Sequence, residues 1–464
     1  MPVSPRAIAS TTPARSCWWL RRARCITSTA PRTPGANLRF VWLRRVAPHG
    51  ATGGPRSEPR AGHATGPPAS PRSITALTPG QRGRSETDSW GRCLSAPGGR
   101  GYKGPNPSQR GNRPVPDPRR FRVGYLSHVP HPSFLETAAL HPELEVVRIP
   151  LDQPESAVLD ALRGVDAYYV MASRDELPKP FHVNAALLRQ LPDLLMVGST
   201  GAGYDTVDPG ACTEAGVLLV NQAGGNAEGV AEHAVGMMLS LLKRMPEAGA
   251  AMRAGRARDR SALMGRELRG RTVGLVGIGN VGTRVAEIVR LGFSCPVLAC
   301  DPYLDDATIA ARGARKVEMP ELLAESDVVS LHLPLSPESR NLLNGESFAR
   351  MKPGAIFVTT ARGNIHDEPA LHAALRSGHL AGAGLDVWEQ EPPPPEHPLL
   401  HMANVIVTQH TAGVTHESRA NITRIAALAF ADAAKGLMPP RIINPAVAPR
   451  FAERYAAKLG RRIA

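Results

Sequence analysis

The sequence contains few cysteines and no long apolar run. Its 464 residues include six Cys, and no two of them form a C-x-x-C pair, so we predict neither a disulfide framework nor a metal site. No run of about 18 apolar residues occurs, which argues against a membrane-spanning helix. We therefore expect no membrane partner and a reducing compartment. The cytoplasm is the expected location, with import into an organelle as the alternative.

Acidic residues are scarce only in the first part of the chain. Residues 1–120 hold 21 Lys or Arg against 4 Asp or Glu, whereas residues 121–464 hold 34 against 37. The formal net charge of +14 therefore belongs to the first segment, and we expect no nucleic-acid partner. The same segment contains 18 of the 44 Pro and no sustained apolar pattern, so we expect a disordered, basic extension.

Three interpretations of this extension stay open. Its first 57 residues lack Asp and Glu and are rich in Arg, Ser and Thr, as in organelle transit peptides. A start codon assigned too far upstream in a GC-rich genome would give the same composition, and we favour this interpretation. A basic RNA-binding tail is the third, although no aromatic-interleaved repeat supports it.

Strand-like and helical patterns alternate from Phe121 onwards. Such alternation is typical of parallel sheets covered by helices on both faces. Eleven strand-like runs are too many for one sheet, and the amphipathic stretch Ala227–Lys243 divides them into two α/β domains. A last helical stretch covers Glu417–Lys435. The predicted strands are Val123–Leu126, Val146–Ile149, Ala167–Met171, Leu194–Gly198, Val217–Val220, Thr272–Val276, Val297–Cys300, Val328–Leu331, Ala355–Thr359, Ala383–Asp386 and Val405–Thr408.

A glycine-rich turn follows the predicted strand Thr272–Val276. Gly277, Gly279 and Gly282 form a G-x-G-x-x-G pattern directly before a helical stretch. The first Gly permits a tight turn, the second lets a pyrophosphate approach the backbone, and the third lets the helix pack closely. Asp301 ends the next strand, 19 residues after Gly282. A carboxylate there binds a ribose 2′-hydroxyl and repels a 2′-phosphate, so the pattern predicts NAD.

Three reactive side chains follow later strands. The carboxyl ends of strands in a doubly wound sheet face the ligand crevice. Reduction of a 2-oxo acid requires a fixed cation, a proton donor, and a carboxylate that orients the donor and favours its charged form. Arg362, His410 and Glu391 can supply these functions in that order, with hydride from the cofactor. We predict that they are the catalytic residues.

Residues 121–447 resemble the D-isomer-specific 2-hydroxy acid dehydrogenases. The gaps of 29 residues from Arg362 to Glu391 and of 19 from Glu391 to His410 are similar to the family's spacing. The resemblance implies a homodimer that reversibly converts a small 2-oxo acid into a D-2-hydroxy acid with NADH. The shared motifs are Gly198–Asp205, Val230–His233, Gly277–Gly282 with Asp301, His332–Leu335, Ala361–Gly363, Asp386–Trp388 with Glu391–Pro392, and His410–Gly413.

The resemblance also implies a domain organisation. Residues 121–221 and 413–447 would form a flavodoxin-like substrate domain, and residues 222–412 an inserted NAD-binding Rossmann domain. Residues 448–464 would be a tail, with no C-terminal regulatory domain. The helix after Asn226 would help to build the dimer interface.

Further residues are assigned to the two ligands by the same resemblance. Backbone N–H groups of the loop Thr200–Gly203 would hold the substrate carboxylate, and Asp386 would lie near the nicotinamide carboxamide. The substrate-binding candidates are Thr200, Gly201, Ala202 and Arg362. The cofactor-binding candidates are Gly277, Gly279, Asn280, Val281, Gly282, Asp301, Leu333, Pro334, Thr360, Ala361, Arg362, Asp386, His410 and Gly413.

Two other functions stay open. The general features are closest to the phosphoglycerate dehydrogenase branch, so D-3-phosphoglycerate dehydrogenase is the first alternative. Members of that branch carry Arg near the positions of Ala172 and Ser199, and Arg174 is offset from the first, so we expect an unphosphorylated substrate. Glu391 argues against a formate dehydrogenase, whose relatives have Gln. The second alternative is an NAD-responsive, corepressor-like binding protein, since such proteins keep the Arg–Glu–His set.

Overall fold

The computed structural model describes residues 119–256 and 259–464. Nearly all of the predicted extension, residues 1–120, therefore lies outside the described residues. In the described ranges the named strands form two sheets, and every ladder within them is parallel. This confirms the prediction of two α/β domains with doubly wound parallel sheets.

The first sheet has five strands in the order β2-β1-β3-β4-β5, which is the flavodoxin-like order. Successive residues of β3 point to opposite faces, and both faces are buried: Tyr169 belongs to one apolar core and Tyr168 to the other. Burial on both faces explains why these strands read as unbroken apolar runs. The strands are β1 Phe121–Leu126, β2 Leu144–Ile149, β3 Ala167–Val170, β4 Met196–Ser199 and β5 Leu218–Val220.

The second sheet has seven strands in the order β12-β11-β10-β9-β6-β7-β8. The strand order reverses at β6, as in dinucleotide-binding Rossmann folds. Every predicted strand is present, but β8 was not predicted because its two residues are both cationic. The strands are β6 Val273–Val276, β7 Val297–Cys300, β8 Arg315–Lys316, β9 Val328–Leu331, β10 Ile356–Thr359, β11 Gly382–Leu385 and β12 Val405–Val407.

Helices cover both faces of each sheet and confirm the two long helical predictions. No helix in the described part of the chain has the length and apolar character needed to cross a membrane. The helices are α1 Ser133–Ala138, α2 Glu155–Arg163, α3 Ala185–Gln190, α4 Pro209–Ala215, α5 Ala227–Leu242, α6 Met245–Arg253, α7 Asn280–Phe293, α8 Asp306–Ala311, α9 Met319–Glu325, α10 Gly345–Arg350, α11 Glu368–Arg376, α12 His416–Ala434 and α13 Ala448–Leu459.

Helix α13 corrects the prediction of a tail at residues 448–464. Phe451 and Tyr455 lie one turn apart on this helix and are fully buried in a core of the first sheet. Lys458, one further turn along, places its Nζ 2.8 Å from the buried carboxylate of Asp166. Only this narrow stripe of the helix is apolar, so the sequence pattern of residues 448–464 indicated a polar tail rather than a packed helix.

Candidate active site

The predicted site residues follow strands of both sheets and meet between them. The loop after β4 and the segments after β10, β11 and β12 line one cavity of about 120 Å³, which we call the substrate cavity. The carboxyl ends of the strands in both sheets therefore face this space. The predicted residues that line it are Thr200, Gly201, Ala202, Thr360, Arg362, Asp386, His410 and Gly413.

A second cavity, of about 300 Å³, adjoins the first and contains most of the other cofactor candidates. Thr360 and Arg362 line both cavities. We call this second space the cofactor cleft. The predicted residues that line it are Ala202, Asn280, Val281, Leu333, Pro334, Thr360, Ala361 and Arg362.

The glycine-rich turn connects β6 with the start of α7, and its three glycines do not themselves line the cleft. Gly277 has φ +86°, and a Cβ added there would lie 2.7 Å from the carbonyl oxygen of His332. A Cβ on Gly282 would lie 2.5 Å from the carbonyl oxygen of Gly277. Of these three glycines, only Gly279 has open space where a Cβ would lie, with no atom within 4 Å. The turn is thus tight at its ends and open at its middle glycine, as the pyrophosphate role requires.

Asp301 lies at the end of β7 beside this turn, outside the cleft. Its Oδ2 accepts the N–H of Ile278 and its Oδ1 the N–H of Tyr303, both at 3.1 Å. The carboxylate is therefore held against the glycine turn, and each oxygen keeps a further lone pair for a ligand hydroxyl.

His410 and Glu391 form a direct pair. The His410 Nδ1 lies 2.9 Å from Glu391 Oε2, and Glu391 Oε1 accepts the N–H of Trp388 at 3.1 Å. Burial lowers the pKa of His410, but the hydrogen bond and charge of Glu391 outweigh burial, so this pKa lies above its ordinary value. Burial raises the pKa of Glu391, and the hydrogen bond and charge of His410 bring it below its ordinary value. The pair thus favours imidazolium and carboxylate.

Asp386 organises the loop that carries His410. Its carboxylate accepts the N–H groups of Thr411 at 2.8 Å and Ala412 at 3.0 Å, and the hydroxyl of Thr408 at 2.6 Å. His410 adopts φ +48°, a left-handed conformation that is uncommon for a residue other than glycine. These three hydrogen bonds hold the loop in that conformation. The predicted contact of Asp386 with the nicotinamide carboxamide stays a prediction.

His233 extends this network and had no predicted role. Its Nε2 lies 3.1 Å from the Thr408 hydroxyl, which itself donates to Asp386. His233 therefore donates through Nε2–H and continues the network towards α5. The Val230–His233 motif was the signal in the sequence, but only the fold brings it beside β12.

Arg362 is paired with Asp205, the second residue that lacked a predicted role. The Nε of Arg362 donates to Asp205 Oδ2 at 3.2 Å, and its Nη1 donates to the carbonyl of Ala361 at 2.7 Å. A Cβ on Gly203 would lie 2.1 Å from Nη2, so the guanidinium lies directly against the glycine backbone. Asp205 lies in the part of the chain that forms the first sheet, and Arg362 lies in the part that forms the second. This ion pair therefore connects the two parts across the cavity.

Known proteins share both the sequence and this architecture. The family model described as "D-isomer specific 2-hydroxyacid dehydrogenase, NAD binding domain" matches residues 235–412. The glyoxylate reductase of Korarchaeum cryptofilum is 33% identical over 310 residues, which cover 66% of this chain and 91% of that protein. The chain belongs to the D-isomer specific 2-hydroxyacid dehydrogenase family.

Two further relatives show the range of substrates in this family. The D-3-phosphoglycerate dehydrogenase of Archaeoglobus fulgidus is 37% identical over 62% of this chain and 54% of its own, so the chain spans about half the length of that relative. The crystal structure of D-lactate dehydrogenase from Aquifex aeolicus, complexed with NAD and lactic acid, superposes with a TM-score of 0.58 and 27% identity. The match covers 68% of this chain and 96% of that one.

The cleft fits NAD, the cofactor that this family's domain binds. Thr360 Oγ1 is buried and has no hydrogen-bond partner within residues 119–256 and 259–464, although it lines both cavities. A buried hydroxyl without a partner is costly, and a polar group of a bound cofactor would satisfy it. The open space at Gly279 and the N-terminus of α7 suit the cofactor's phosphates.

Proposed function

We propose that the chain is an NAD-dependent D-2-hydroxyacid dehydrogenase that reversibly reduces the C2 carbonyl of a small 2-oxo acid. The observation that carries the proposal is the 2.9 Å His410–Glu391 pair beside Arg362, in a cavity that adjoins the cofactor cleft. When NADH is bound, it supplies the hydride. All other requirements of the reaction fall to side chains and backbone groups of this chain.

The substrate is held by the loop after β4 and by Arg362. Gly201 has φ +77°, a conformation that lets the N–H groups of Gly201 and Ala202 converge on an anion, whereas the N–H of Thr200 donates to the Val170 carbonyl at 2.9 Å. Arg362 lines both cavities, and its planar guanidinium can hold the substrate carboxylate and polarise the ketone. Asp205 competes for this guanidinium before substrate binds and keeps it at the cavity wall.

His410 moves the proton. Its Nδ1 is occupied by Glu391, which leaves Nε2 for the substrate oxygen. In reduction, the imidazolium donates its Nε2 proton to the carbonyl oxygen as negative charge develops there. In oxidation, the neutral imidazole accepts the proton of the hydroxyl group. Glu391 stabilises the imidazolium and fixes the ring, so it acts in both directions.

The substrate class is narrowed by two relatives that differ in coverage. The glyoxylate reductase shares almost its whole length with this chain, whereas the D-3-phosphoglycerate dehydrogenase shares about half. We therefore propose a small 2-oxo acid as the substrate class. The 37% identity to the phosphoglycerate enzyme keeps 3-phosphohydroxypyruvate as the second candidate.

We also propose a homodimer in the cytoplasm. Helix α6 has no buried residue, and Met245 and Met252 on it are 55% and 69% exposed, so a second copy of the chain would remove apolar surface from water. Cys212 and Cys295 are free and buried, which suits a reducing compartment. Light scattering on the full chain and on Met252→Glu tests the dimer: we expect the mass of two copies in the first and a shift to one copy in the second.

A substrate panel tests the activity. Purified full chain with NADH is offered glyoxylate, hydroxypyruvate, pyruvate and 3-phosphohydroxypyruvate, and loss of NADH absorbance is followed. We expect turnover of at least one of the first three, and a D-configured product wherever C2 becomes chiral. NADH binding without turnover of any oxo acid would contradict the proposal and favour the corepressor-like alternative.

A further inference from the structure

A third cavity opens beside the substrate cavity at the N-terminal end of α12. Its volume is about 450 Å³, and three of its lining residues are histidines. We call it the distal pocket. It is lined by His128, His131, Met171, Glu176, His416 and Arg419, among others.

The distal pocket and the substrate cavity share a wall. Glu176, Val414 and Arg419 line both spaces. A bound substrate has its carboxylate at the loop Thr200–Ala202 and its C2 facing His410. The position of its side chain is then the one still to be assigned. A side chain directed at the shared wall meets Arg419, which lines both spaces.

Arg419 brings unused hydrogen-bond donors to this wall. Its Nη2 lies 3.9 Å from Glu176 Oε1, which is too long for a hydrogen bond. Within the two described ranges its guanidinium donates no hydrogen bond, although the side chain is only 25% exposed. A guanidinium carries five N–H donors and a permanent charge, so an anion arriving here would gain charge-assisted hydrogen bonds without displacing existing ones.

The other charged and polar side chains around the pocket also affect how strongly it can bind an anion. Glu176 attracts Arg419 but repels an incoming anion. Three imidazoles, of His128, His131 and His416, offer further donors around the same space. A weakly held cation with one acidic neighbour favours an anionic ligand over a neutral one, and removal of the acidic neighbour should strengthen that preference.

We propose that the distal pocket binds an anionic group on the side chain of the substrate, a second carboxylate or a phosphate, through Arg419. This rests on the proposed function, because it assumes that a 2-oxo acid occupies the substrate cavity. It narrows the substrate class to 2-oxo acids with a charged side chain. Glyoxylate and pyruvate, which lack such a group, are then turned over less efficiently than their charged counterparts.

The test compares oxo acids in pairs, one member with a charged distal group and the other with a neutral one. The pairs are 2-oxoglutarate with 2-oxopentanoate, oxaloacetate with 2-oxobutanoate, and 3-phosphohydroxypyruvate with hydroxypyruvate. For the full chain with NADH, we expect kcat/KM of the charged member to be higher by about 10-fold or more in at least one pair. The pair that shows the effect tells a carboxylate from a phosphate.

Variants assign the effect to Arg419. Arg419→Met should lower kcat/KM for the charged member by about 10- to 100-fold and change the neutral member less than about twofold. Arg419→Lys should keep part of the preference, and Glu176→Gln should increase it. The matched control is Arg424→Met, which removes an exposed guanidinium five residues further along α12, where it donates to Asn421 at 3.0 Å.

Two results would overturn the inference. One is equal kcat/KM within every pair. The other is an Arg419→Met variant that loses activity equally on charged and neutral members. If no oxo acid is reduced at all, the proposed function fails, and the pocket is judged by calorimetry on the NADH-loaded chain. Binding of 2-oxoglutarate about tenfold tighter than 2-oxopentanoate, lost in Arg419→Met, would then support the pocket, and equal binding would overturn it.

Discussion

Glu391→Gln removes one negative charge from the active site while it keeps the size of the side chain. In the native chain Glu391 holds the pKa of His410 above its ordinary value, although burial acts to lower it. A glutamine oxygen can still accept the hydrogen bond from Nδ1, but it no longer favours the imidazolium. We therefore expect the pKa of His410 to fall in this variant.

The size of the effect follows from the exposure of the pair. The two side chains are 31% and 29% exposed, so solvent screens their interaction only in part. A hydrogen bond to a charged partner contributes about 1.5–3 kcal/mol, and about 1.4 kcal/mol corresponds to tenfold in rate. We expect kcat for oxo acid reduction to fall about 10- to 100-fold near neutral pH, where the variant has lost its imidazolium.

The assay is the pH dependence of kcat in both directions. Reduction requires protonated His410, so its rate falls as the pH rises through the pKa of His410. In Glu391→Gln this fall should occur at lower pH, and the two proteins should converge at acidic pH. The rise of hydroxy acid oxidation should also move to lower pH. Exposed Glu389, in the same loop, supplies the control variant Glu389→Gln. A loss that is equal at every pH would refute the reasoning, because it would make Glu391 a purely structural residue.

Three other predictions concern separate parts of the chain. His410→Ala should lower kcat by about 10²- to 10⁴-fold while NADH binding, measured by fluorescence, is retained; equal loss of both would make His410 structural. Asp301→Ala should reduce the preference for NADH over NADPH, and an unchanged ratio of the two kcat/KM values would rule out its ribose role. Phe451→Ala should lower the free energy of unfolding in urea by about 3–5 kcal/mol, whereas a change below about 1 kcal/mol would mean that α13 is dispensable.

The positions of the strands along the chain and the main catalytic pair could be predicted from the sequence because they depend on local patterns. Unbroken apolar runs indicate strands buried on both faces, and a glycine turn between strand and helix needs only about six residues to be recognised. His410 and Glu391 lie 19 residues apart, yet each lies in the segment that follows a strand, and parallel neighbours bring such segments together. The observed distance of 2.9 Å agrees with that reasoning.

The remaining contacts depend on packing between distant segments. Asp205 meets Arg362 across 157 residues, and His233 meets Thr408 across 175. No periodic pattern encodes such pairs, because they form only when the two sheets and α5 are assembled. Helix α13 was not predicted for a related reason. Its two aromatic residues are buried only because they pack against a core formed by distant segments, and the local sequence does not show that packing.

Transfer of a deuteride from labelled NADH tests the central claim most directly. The full chain is incubated with NADH deuterated at the transferable C4 position and with the best 2-oxo acid that gives a chiral product. We expect one deuterium at C2 of a D-2-hydroxy acid, seen by mass spectrometry after chiral separation, and a rate lower by orders of magnitude in His410→Ala. A product without deuterium at C2, or one of the L configuration, would contradict the account.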